Sequence, residues 1–303
     1  MTLSLKNLTF IIVTFKSEHI IHDCIASLPK DSDIILIDNS NDINLKNDLE
    51  KKYNNIKVIT QDNEGMGSAN NKGIKLCKTD YAFVINPDVK FYENTIQTLI
   101  DISAKNNDFA VLAPISDDSR YPNYKTKRNN MIESTTDYLS VDSVDGFAML
   151  INKNKFKDDF YFDENFFLYL ENDDLCLRKK KENNNIFVVK NAKINHMGGK
   201  SHSTAYEIEI EYSRNWHWMW SKFYFYKKHN GYLKALLISF PIMIRSIIKF
   251  IYYFYALFYW FCRRVVIFMC PANYTIYIKT KSFIFQYFYL NYEILNIKCY
   301  IYN

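Results

Sequence analysis

The sequence predicts an α/β fold with a mostly parallel sheet covered by helices on both faces, followed by a helical C-terminal extension rich in aromatic residues. Short apolar runs alternate with helical patterns through about the first 115 residues, which is typical of parallel sheets. Beyond residue 212 the composition changes, and aromatic residues and basic charge accumulate. We therefore predict two domains, over residues 1–230 and 231–303.

Composition narrows the class of protein. With 303 residues, the chain can bury a sizeable core. Its 48% hydrophobic and 23% charged residues exclude a disordered protein. The six cysteines form no CxxC pair, and we interpret them as reduced thiols of a protein that faces the cytosol.

The first part of the chain alternates five strand-like runs with four helical patterns. The runs are almost continuously apolar, as in strands buried on both faces. Ser17 is assigned as the N-cap of the first helix. The strands are predicted over residues 8–14, 33–37, 56–60, 81–85 and 109–113, and the helices over 17–28, 43–53, 67–76 and 92–104.

After residue 114 the pattern becomes irregular. A long polar loop is followed by a strand that passes through Gly146, a helix with an acidic start, a short strand and a second polar loop. These segments are predicted over residues 115–137, 141–151, 166–181, 186–189 and 195–203, and the chain is helical from about residue 206.

Polar side chains follow four of the predicted strands. Ligands of parallel sheets bind at the carboxyl ends of the strands. This places Thr14, Asp38, Asn63 and residues 86–88 around one crevice.

The turn after the third strand contains Gly65 and Gly67. Glycines there allow a backbone to approach a ligand, and the helix that follows favours phosphate at its N-terminus. Because the turn follows strand three rather than strand one, its position argues against a dinucleotide-binding fingerprint. The alternative is that both glycines serve only a tight turn.

Two acidic features are candidates for chemistry. Asp88 ends an apolar strand, where a carboxylate can bind a hard divalent cation or simply cap a helix. Glu171, Asp173 and Asp174 place three carboxylates in four positions, more than helix capping needs, and one of them can act as a general base. His196 would complete a metal site beside Asp88, since imidazole is an acceptable ligand for Mn²⁺.

Taken in order, these motifs resemble the family 2 glycosyltransferases, and most closely the bacterial rhamnosyltransferase-like branch. The resemblance covers about residues 8–231, including the helix after the core. The matching motifs are Val-Thr-Phe, Asp-Asn-Ser, Asn-x-Gly-x-Gly with Asn-x-x-Gly, Asn-Pro-Asp-Val, Phe-Phe-Leu-Tyr-Leu-Glu-x-x-Asp-Leu-Cys-Leu-Arg and His-x-Gly-Gly.

The resemblance implies a glycosyltransferase A-type fold and a nucleotide-diphosphate sugar as donor. It implies that Asp88, with His196 assisting, binds Mn²⁺ or Mg²⁺, which neutralises the leaving diphosphate. A carboxylate of the acidic cluster would deprotonate the acceptor hydroxyl, with inversion at the sugar. The donor-binding positions that it implies are Thr14, Phe15, Asp38, Asn63, Gly65, Gly67, Asn70 and Asn86.

The chain departs from the pattern of this family at two positions. Many relatives have an aspartate where this chain has Asn172, and neutral asparagine cannot accept a proton. We therefore assign the base to Glu171, with Asp173 as rival and Asp174 as an orienting residue. Some relatives have an aspartate at Asn86, so one carboxylate is left at that strand end.

The tail combines apolar runs with positive charge. Residues 213–303 contain 12 Lys and Arg but one acidic residue, which gives a net charge of +11 and leaves −6 of the total +5 for the rest. The runs over 235–244 and 250–262 are shorter than the roughly 20 residues of a transmembrane helix, and they are separated by Arg245 and Lys249. This favours an anionic membrane interface.

Other uses of the tail are a packed helical subdomain or a homodimer interface. A nucleic-acid partner is disfavoured, because the charge is spread among apolar stretches.

We therefore expect a metal-dependent inverting glycosyltransferase at the cytoplasmic face of the cell membrane. Its acceptor would be a saccharide or a lipid-linked glycan in surface polysaccharide synthesis, and branch resemblance alone suggests rhamnose as the sugar. The alternative is a catalytically weak component that binds nucleotide-sugar in a glycan-building complex.

Overall fold

The computed structural model describes residues 2–120, 122–126, 135–198 and 207–269. The chain divides into two units, Met1–Ser239 and Phe240–Asn303. The strands are β1 (Leu8–Thr14), β2 (Asp33–Asp38), β3 (Ile56–Thr60), β4 (Tyr81–Ile85), β5 (Val89–Phe91), β6 (Val111–Ser116), β7 (Tyr124–Lys125), β8 (Tyr138–Ser140), β9 (Ser143–Val144), β10 (Ala148–Asn152) and β11 (Ile186–His196). The helices are α1 (Ile21–Ala26), α2 (Ile43–Lys52), α3 (Met66–Leu76), α4 (Thr95–Lys105), α5 (Glu171–Lys181), α6 (Glu207–Asn230) and α7 (Tyr232–Met269).

One mixed sheet dominates the first unit. Within the described residues it has nine strands, in the order β3-β2-β1-β4-β10-β6-β11-β5, with β8 paired to β11. Strands β3, β2, β1 and β4 are mutually parallel, whereas β10 runs antiparallel between β4 and β6. The parallel half follows the prediction, and its carboxyl ends meet at one edge of the sheet.

Helices cover both faces of this sheet. Alternate residues of β1 point to opposite sides, so Phe10 packs in one apolar cluster and Ile11 in the other. The first cluster includes side chains of α1, α2 and α4, and the second includes side chains of α3 and α5. The predicted α/β class with helices on both faces is confirmed.

Several predicted boundaries are wrong. No strand passes through Gly146, because β9 ends before residues 145–147 and β10 begins after them. The first helix begins at Ile21 rather than Ser17, whose backbone carbonyl accepts hydrogen bonds from the amides of Ile20 and Ile21. Strand β11 continues to His196, and β5 had no counterpart in the prediction.

The C-terminal helix α7 joins the two apolar runs that the sequence separates. It continues through Arg245 and Lys249 and contains Pro241. Its segment Tyr232–Phe261 has 30 residues and contains an 18-residue stretch with a mean hydropathy of 1.7, enough in length and composition to cross a membrane. The rest of the predicted tail, beyond residue 269, lies outside the described residues.

Candidate active site

Thr14 and Asp38 lie side by side where β1 and β2 end. The two residues are register partners, and the Thr14 hydroxyl donates a hydrogen bond of 3.0 Å to Asp38 Oδ1. Asp38 is fully buried and also accepts hydrogen bonds from the Ser40 hydroxyl at 2.6 Å and the Asp42 amide at 2.8 Å. This carboxylate therefore fixes the loop after β2. Phe15, which follows β1, is half-buried.

The glycine turn before α3 packs against the chain that leads into α5. Gly65 has φ +94°, and a Cβ there would lie 2.5 Å from the Phe167 carbonyl oxygen. That carbonyl accepts a hydrogen bond of 2.9 Å from the Met66 amide. A Cβ at Gly67 would contact Phe162 at 3.4 Å. Both glycines thus permit close backbone packing.

Asparagines on either side of this turn have different environments. Asn63 is exposed, and its Oδ1 accepts a hydrogen bond from the Gly65 amide. Asn70 is 2% exposed, and its Oδ1 has no hydrogen-bond partner among the described residues. Asn71, which the sequence analysis missed, binds both the amide and the carbonyl of Phe162.

Asp88 and His196, the two predicted metal ligands, lie close together. Strand β11 pairs with β5, so that His196 lies opposite Val89, and His196 Nε2 is 3.5 Å from Asp88 Oδ1. Asp88 is 2% exposed, and within the described residues its Oδ1 accepts no hydrogen bond. Asn86 lies half-buried at the end of β4.

This pair suits a divalent cation. A buried carboxylate oxygen without a hydrogen bond and a nearby imidazole nitrogen are a donor set that Mn²⁺ accepts. Across the part of the chain that the structure describes, no group of three or more His, Cys, Asp and Glu side chains is arranged to hold a metal.

The acidic cluster forms the first turn of α5, called here the catalytic turn (residues 171–174). Tyr169 and Leu170, with φ of 71° and 66°, lead into it through left-handed backbone. Glu171 is 7% exposed, and its Oε2 has no hydrogen-bond partner among the described residues. Burial, with a smaller contribution from Asp173, raises the pKa of Glu171 to about 7.

The other carboxylates of the catalytic turn are paired. Asp173 is 3.0 Å from Lys125 Nζ. Asp174 is fully buried and contacts Arg178 Nε and His229 Nε2, each at 2.8 Å.

Asn172, between them, also has a partner. Its side-chain amide donates a hydrogen bond of 2.7 Å to the Val144 carbonyl.

Residues 145–147, the bridging segment, lie between the catalytic turn and the Asp88–His196 pair. A Cβ at Gly146 would be 3.7 Å from Glu171 Oε1, and the Phe147 ring stacks on His196 with centroids 3.9 Å apart. Burial raises the pKa of Asp145, and the nearby charge of Lys125 opposes that rise only in part. The Asp-Gly dipeptide is a turn signal that would have marked this segment.

The chain is similar to known proteins in sequence. The family model of glycosyl transferase family 2 matches residues 9–174, more than half of the chain. The low-salt glycan biosynthesis hexosyltransferase Agl10 of Haloferax volcanii is 26% identical over 200 residues, which cover 60% of this chain and 64% of that protein. The chain thus matches less than two thirds of the length of this relative.

A solved structure supports the fold. The crystal structure of GalNAc-T7 with UDP, GalNAc and Mn²⁺ superposes with a TM-score of 0.50 at 16% identity, over 62% of this chain and 44% of that one. The mixed sheet and its helices therefore have the glycosyltransferase A-type architecture. Together with the match over residues 9–174, this architecture means that the chain belongs to glycosyl transferase family 2.

Proposed function

We propose that this protein is an inverting glycosyltransferase, which transfers a sugar from a nucleotide-diphosphate sugar to a hydroxyl of a saccharide or lipid-linked acceptor. The observation that carries the proposal is Glu171, a buried carboxyl whose Oε2 accepts no hydrogen bond from the described residues and whose pKa is about 7. A group with that pKa accepts a proton efficiently near neutral pH.

In this mechanism Glu171 takes the proton of the acceptor hydroxyl. The hydroxyl oxygen attacks the anomeric carbon as the bond to the diphosphate breaks, so one displacement inverts the configuration. Asp173 is the rival base, but its carboxylate is already engaged in an ion pair with Lys125 at 3.0 Å. Asp174 is already bonded to α5 and α6 side chains, which supports an orienting role.

The donor would lie along the carboxyl edge of β2, β1 and β4. We assign Asp88 and His196 to hold Mn²⁺ or Mg²⁺, which when bound stabilises the negative charge of the leaving diphosphate. Thr14, Phe15 and Asp38 would contact the base and ribose. The remaining donor contacts would come from Asn63, Gly65, Gly67, Asn70 and Asn86.

The proposed sugar is a hexose, with rhamnose as one candidate because of the branch resemblance. The relative in Haloferax volcanii, a hexosyltransferase of glycan biosynthesis, supports the class of reaction. Surface polysaccharide synthesis is the proposed setting.

We place the enzyme at the cytoplasmic face of a membrane. Within unit Phe240–Asn303, the described part of α7 exposes large apolar side chains, such as Phe250 at 70% and Tyr255 at 70%. An aromatic helix that carries Arg245 and Lys249 suits an interface with anionic lipids.

The test is donor turnover by the purified full-length protein in detergent. Nucleotide-sugars, including deoxythymidine diphosphate-rhamnose, are incubated with candidate acceptors and with Mn²⁺, Mg²⁺ or EDTA, and released nucleotide is measured. We expect cation-dependent release that Glu171→Gln and Asp88→Asn abolish. The control, Glu93→Gln, changes an exposed carboxylate and should retain activity.

A second candidate function is nucleotide-sugar binding without efficient transfer, as an assembly component. Asn172 favours it, since its amide donates to the Val144 carbonyl where many relatives have a carboxylate. Thermal stabilisation by a nucleotide-sugar, with no nucleotide release under any condition, would support the binding function. It would contradict the proposal that the protein is a glycosyltransferase.

A further inference from the structure

Helix α6 contacts the chain that leads into the catalytic turn through several side chains. Its residues Ser221, Tyr224 and Lys228 are three and four positions apart and therefore share one helix face. The Ser221 hydroxyl donates a hydrogen bond of 2.7 Å to the Leu168 carbonyl, and the Tyr224 hydroxyl donates one of 3.0 Å to Asp163 Oδ2. The contacts of α6 thus follow residues 163–174 along their length.

Ring contacts reinforce these hydrogen bonds. His217 stacks on Phe167 with ring centroids 4.2 Å apart, and Tyr224 contacts Phe166 edge-on at 4.8 Å. Phe167, in the same segment, also packs against Gly65 at the start of α3. Residues 163–174 are therefore held between α3 and α6.

Lys228 joins the two ends of this segment. Its Nζ is 2.6 Å from Asp163 Oδ2 and 2.7 Å from Asp174 Oδ1. Asp163 and Asp174 are 7% and 0% exposed in their side chains, so both charges need a partner inside the protein. Burial would raise the pKa of Asp163, but the hydrogen bonds from Lys228 and Asn165 lower it to about 2.

Asp174 lies one helical turn after Glu171. Its Oδ2 accepts a hydrogen bond from Arg178, and its Oδ1 faces both Lys228 and His229. Lys181 Nζ can only donate to His229 Nδ1, which leaves Nε2 as the ring donor to Asp174. The second positive charge that reaches Asp174, besides that of Arg178, is therefore that of Lys228.

We propose that Lys228 is a positioning residue for the transfer reaction: by bridging Asp163 and Asp174 it holds the catalytic turn, and with it the Glu171 carboxylate, in the reactive position. The proposal rests on the proposed function. It assigns to α6, which lies beyond the residues that the family model matches, a part in the chemistry. Lys228 acts through Glu171 and need not touch substrate.

The experiment compares Lys228→Met and Lys228→Arg with a matched control, Lys227→Met, in the full-length protein. Lys227 is the exposed neighbour on the same helix. Initial rates give kcat and the KM of the donor, and hydrogen–deuterium exchange is followed in peptides that cover residues 163–176. Binding of the donor nucleotide by calorimetry gives the fraction of folded protein.

We expect Lys228→Met to lower kcat by roughly 10- to 100-fold, the loss that a small misplacement of a catalytic group causes. The donor KM and the binding stoichiometry should change less than about twofold. Exchange of residues 163–176 should accelerate, Lys228→Arg should recover most of kcat, and Lys227→Met should behave as wild type.

Wild-type kcat in Lys228→Met would overturn the proposal. So would an equal loss of kcat and of binding stoichiometry, since that is the result of partial unfolding alone. If Lys228→Met does not fold, Tyr224→Phe removes only the hydroxyl that donates to Asp163, and an unchanged kcat together with unchanged exchange in that variant would overturn it.

If no nucleotide-sugar is turned over by the wild type, the proposed function fails, and the exchange comparison still decides whether Lys228 holds the segment.

Discussion

Three neighbouring carboxylates of the catalytic turn have three different environments. All lie in the first turn of α5, where the helix dipole favours each of them equally. Asp174 contacts three nitrogen donors, Asp173 contacts Lys125, and Glu171 Oε2 accepts no hydrogen bond from the described residues. Tertiary partners, which are not local in sequence, therefore separate the candidate base from the structural carboxylates.

The ionisation of Glu171 predicts the pH dependence of the reaction. Because the base must be deprotonated, kcat/KM should rise with pH and level off above about 7, the pKa of the free enzyme. Initial rates between pH 5 and pH 9 at fixed Mn²⁺ test this. A flat profile through that range would contradict the assignment of Glu171.

The same pKa predicts the pH dependence of stability. The folded-state pKa of Glu171 is raised from 4.5 to about 7, so the unfolded chain loses this proton at lower pH than the folded one. The stabilisation is complete below about 4.5 and is lost as pH rises to about 7. Glu171→Gln, which cannot ionise, should raise Tm relative to wild type at pH 8 and change it much less at pH 4.5.

A carboxylate at position 172 should lower the stability of this protein and shift the pH profile of its activity. Asn172→Asp replaces the donor of the 2.7 Å hydrogen bond by an acceptor that faces the Val144 carbonyl. Leaving that carbonyl unpaired costs about 1–3 kcal/mol, and the added charge should move the midpoint of kcat/KM above pH 7. Urea unfolding and the pH profile measure both effects.

The control for this prediction is Asn172→Ala, which removes the donor without adding charge. It should lose stability but keep the midpoint near pH 7. An equal shift of the midpoint in both variants would argue against the electrostatic explanation.

Some site residues could be predicted from the sequence and others could not. Thr14, Asp38 and Asp88 follow from one rule, since residues after parallel strands gather at one sheet edge. Asp145 lies between β9 and β10, which belong to different sheets, and that rule gives it no position. Lys228 acts across 54 residues from Asp174, and nothing local in the sequence links them.

At the scale of elements, apolar runs predicted strands better than they predicted helix ends. The bounds of β1, β3 and β4 agree with the prediction because each run is mostly apolar. Ser17 was misassigned as an N-cap, since its hydroxyl bonds to Phe15 and the chain makes a turn before α1. Periodicity alone does not detect the interruption at Gly146, because Val144 and Phe147, on either side of the Asp-Gly dipeptide, are both apolar.

The contact between α3 and the chain before α5 predicts a severe effect of Gly65→Ala. Its φ of +94° disfavours a side chain, and the new Cβ would overlap the Phe167 carbonyl, 2.5 Å away. We expect a loss of stability of about 3 kcal/mol or more, with a lower kcat because Phe167 must move. Urea unfolding and initial rates measure the two effects.

Gly231→Ala is the matched control. Gly231 has a similar φ of +89°, but no heavy atom lies within 4 Å of its added Cβ. It should cost only the backbone strain, about 1–2 kcal/mol, and leave kcat unchanged. Equal losses in the two variants would show that φ alone, and not the close approach to Phe167, requires glycine at position 65.

At the scale of the whole molecule, the net charge of +5 combines an acidic first part with a basic tail. Carboxylates of the first part serve the site and the fold, as Asp88, Asp163 and Glu171 illustrate. The sequence predicted this division but not the continuity of α7, because Arg245 and Lys249 interrupt hydropathy without interrupting a helix. Charge placement and backbone conformation are independent here.

The positions of Arg245 and Lys249 also predict how α7 binds a membrane. The segment Tyr232–Phe261 has 30 residues, about 45 Å of helix, which exceeds the roughly 30 Å of a hydrocarbon core. If α7 spanned the bilayer, Arg245 and Lys249 would be buried near its centre, at a cost of about 2.5–3.5 kcal/mol each. A helix that lies in the interface keeps both side chains in contact with lipid phosphates. We therefore predict an interfacial helix.

Flotation with liposomes and extraction of native membranes test this prediction together. The full-length protein should bind vesicles that contain anionic lipids more tightly than neutral ones, Arg245→Glu with Lys249→Glu should weaken that binding, and a chain that lacks residues 231–303 should not bind. Alkaline carbonate should extract the wild-type protein, because an interfacial helix has no segment across the bilayer. Retention in the membrane after carbonate, with release only by detergent, would instead establish that α7 spans it and that the energy of burying the two cations is met by the apolar residues around them.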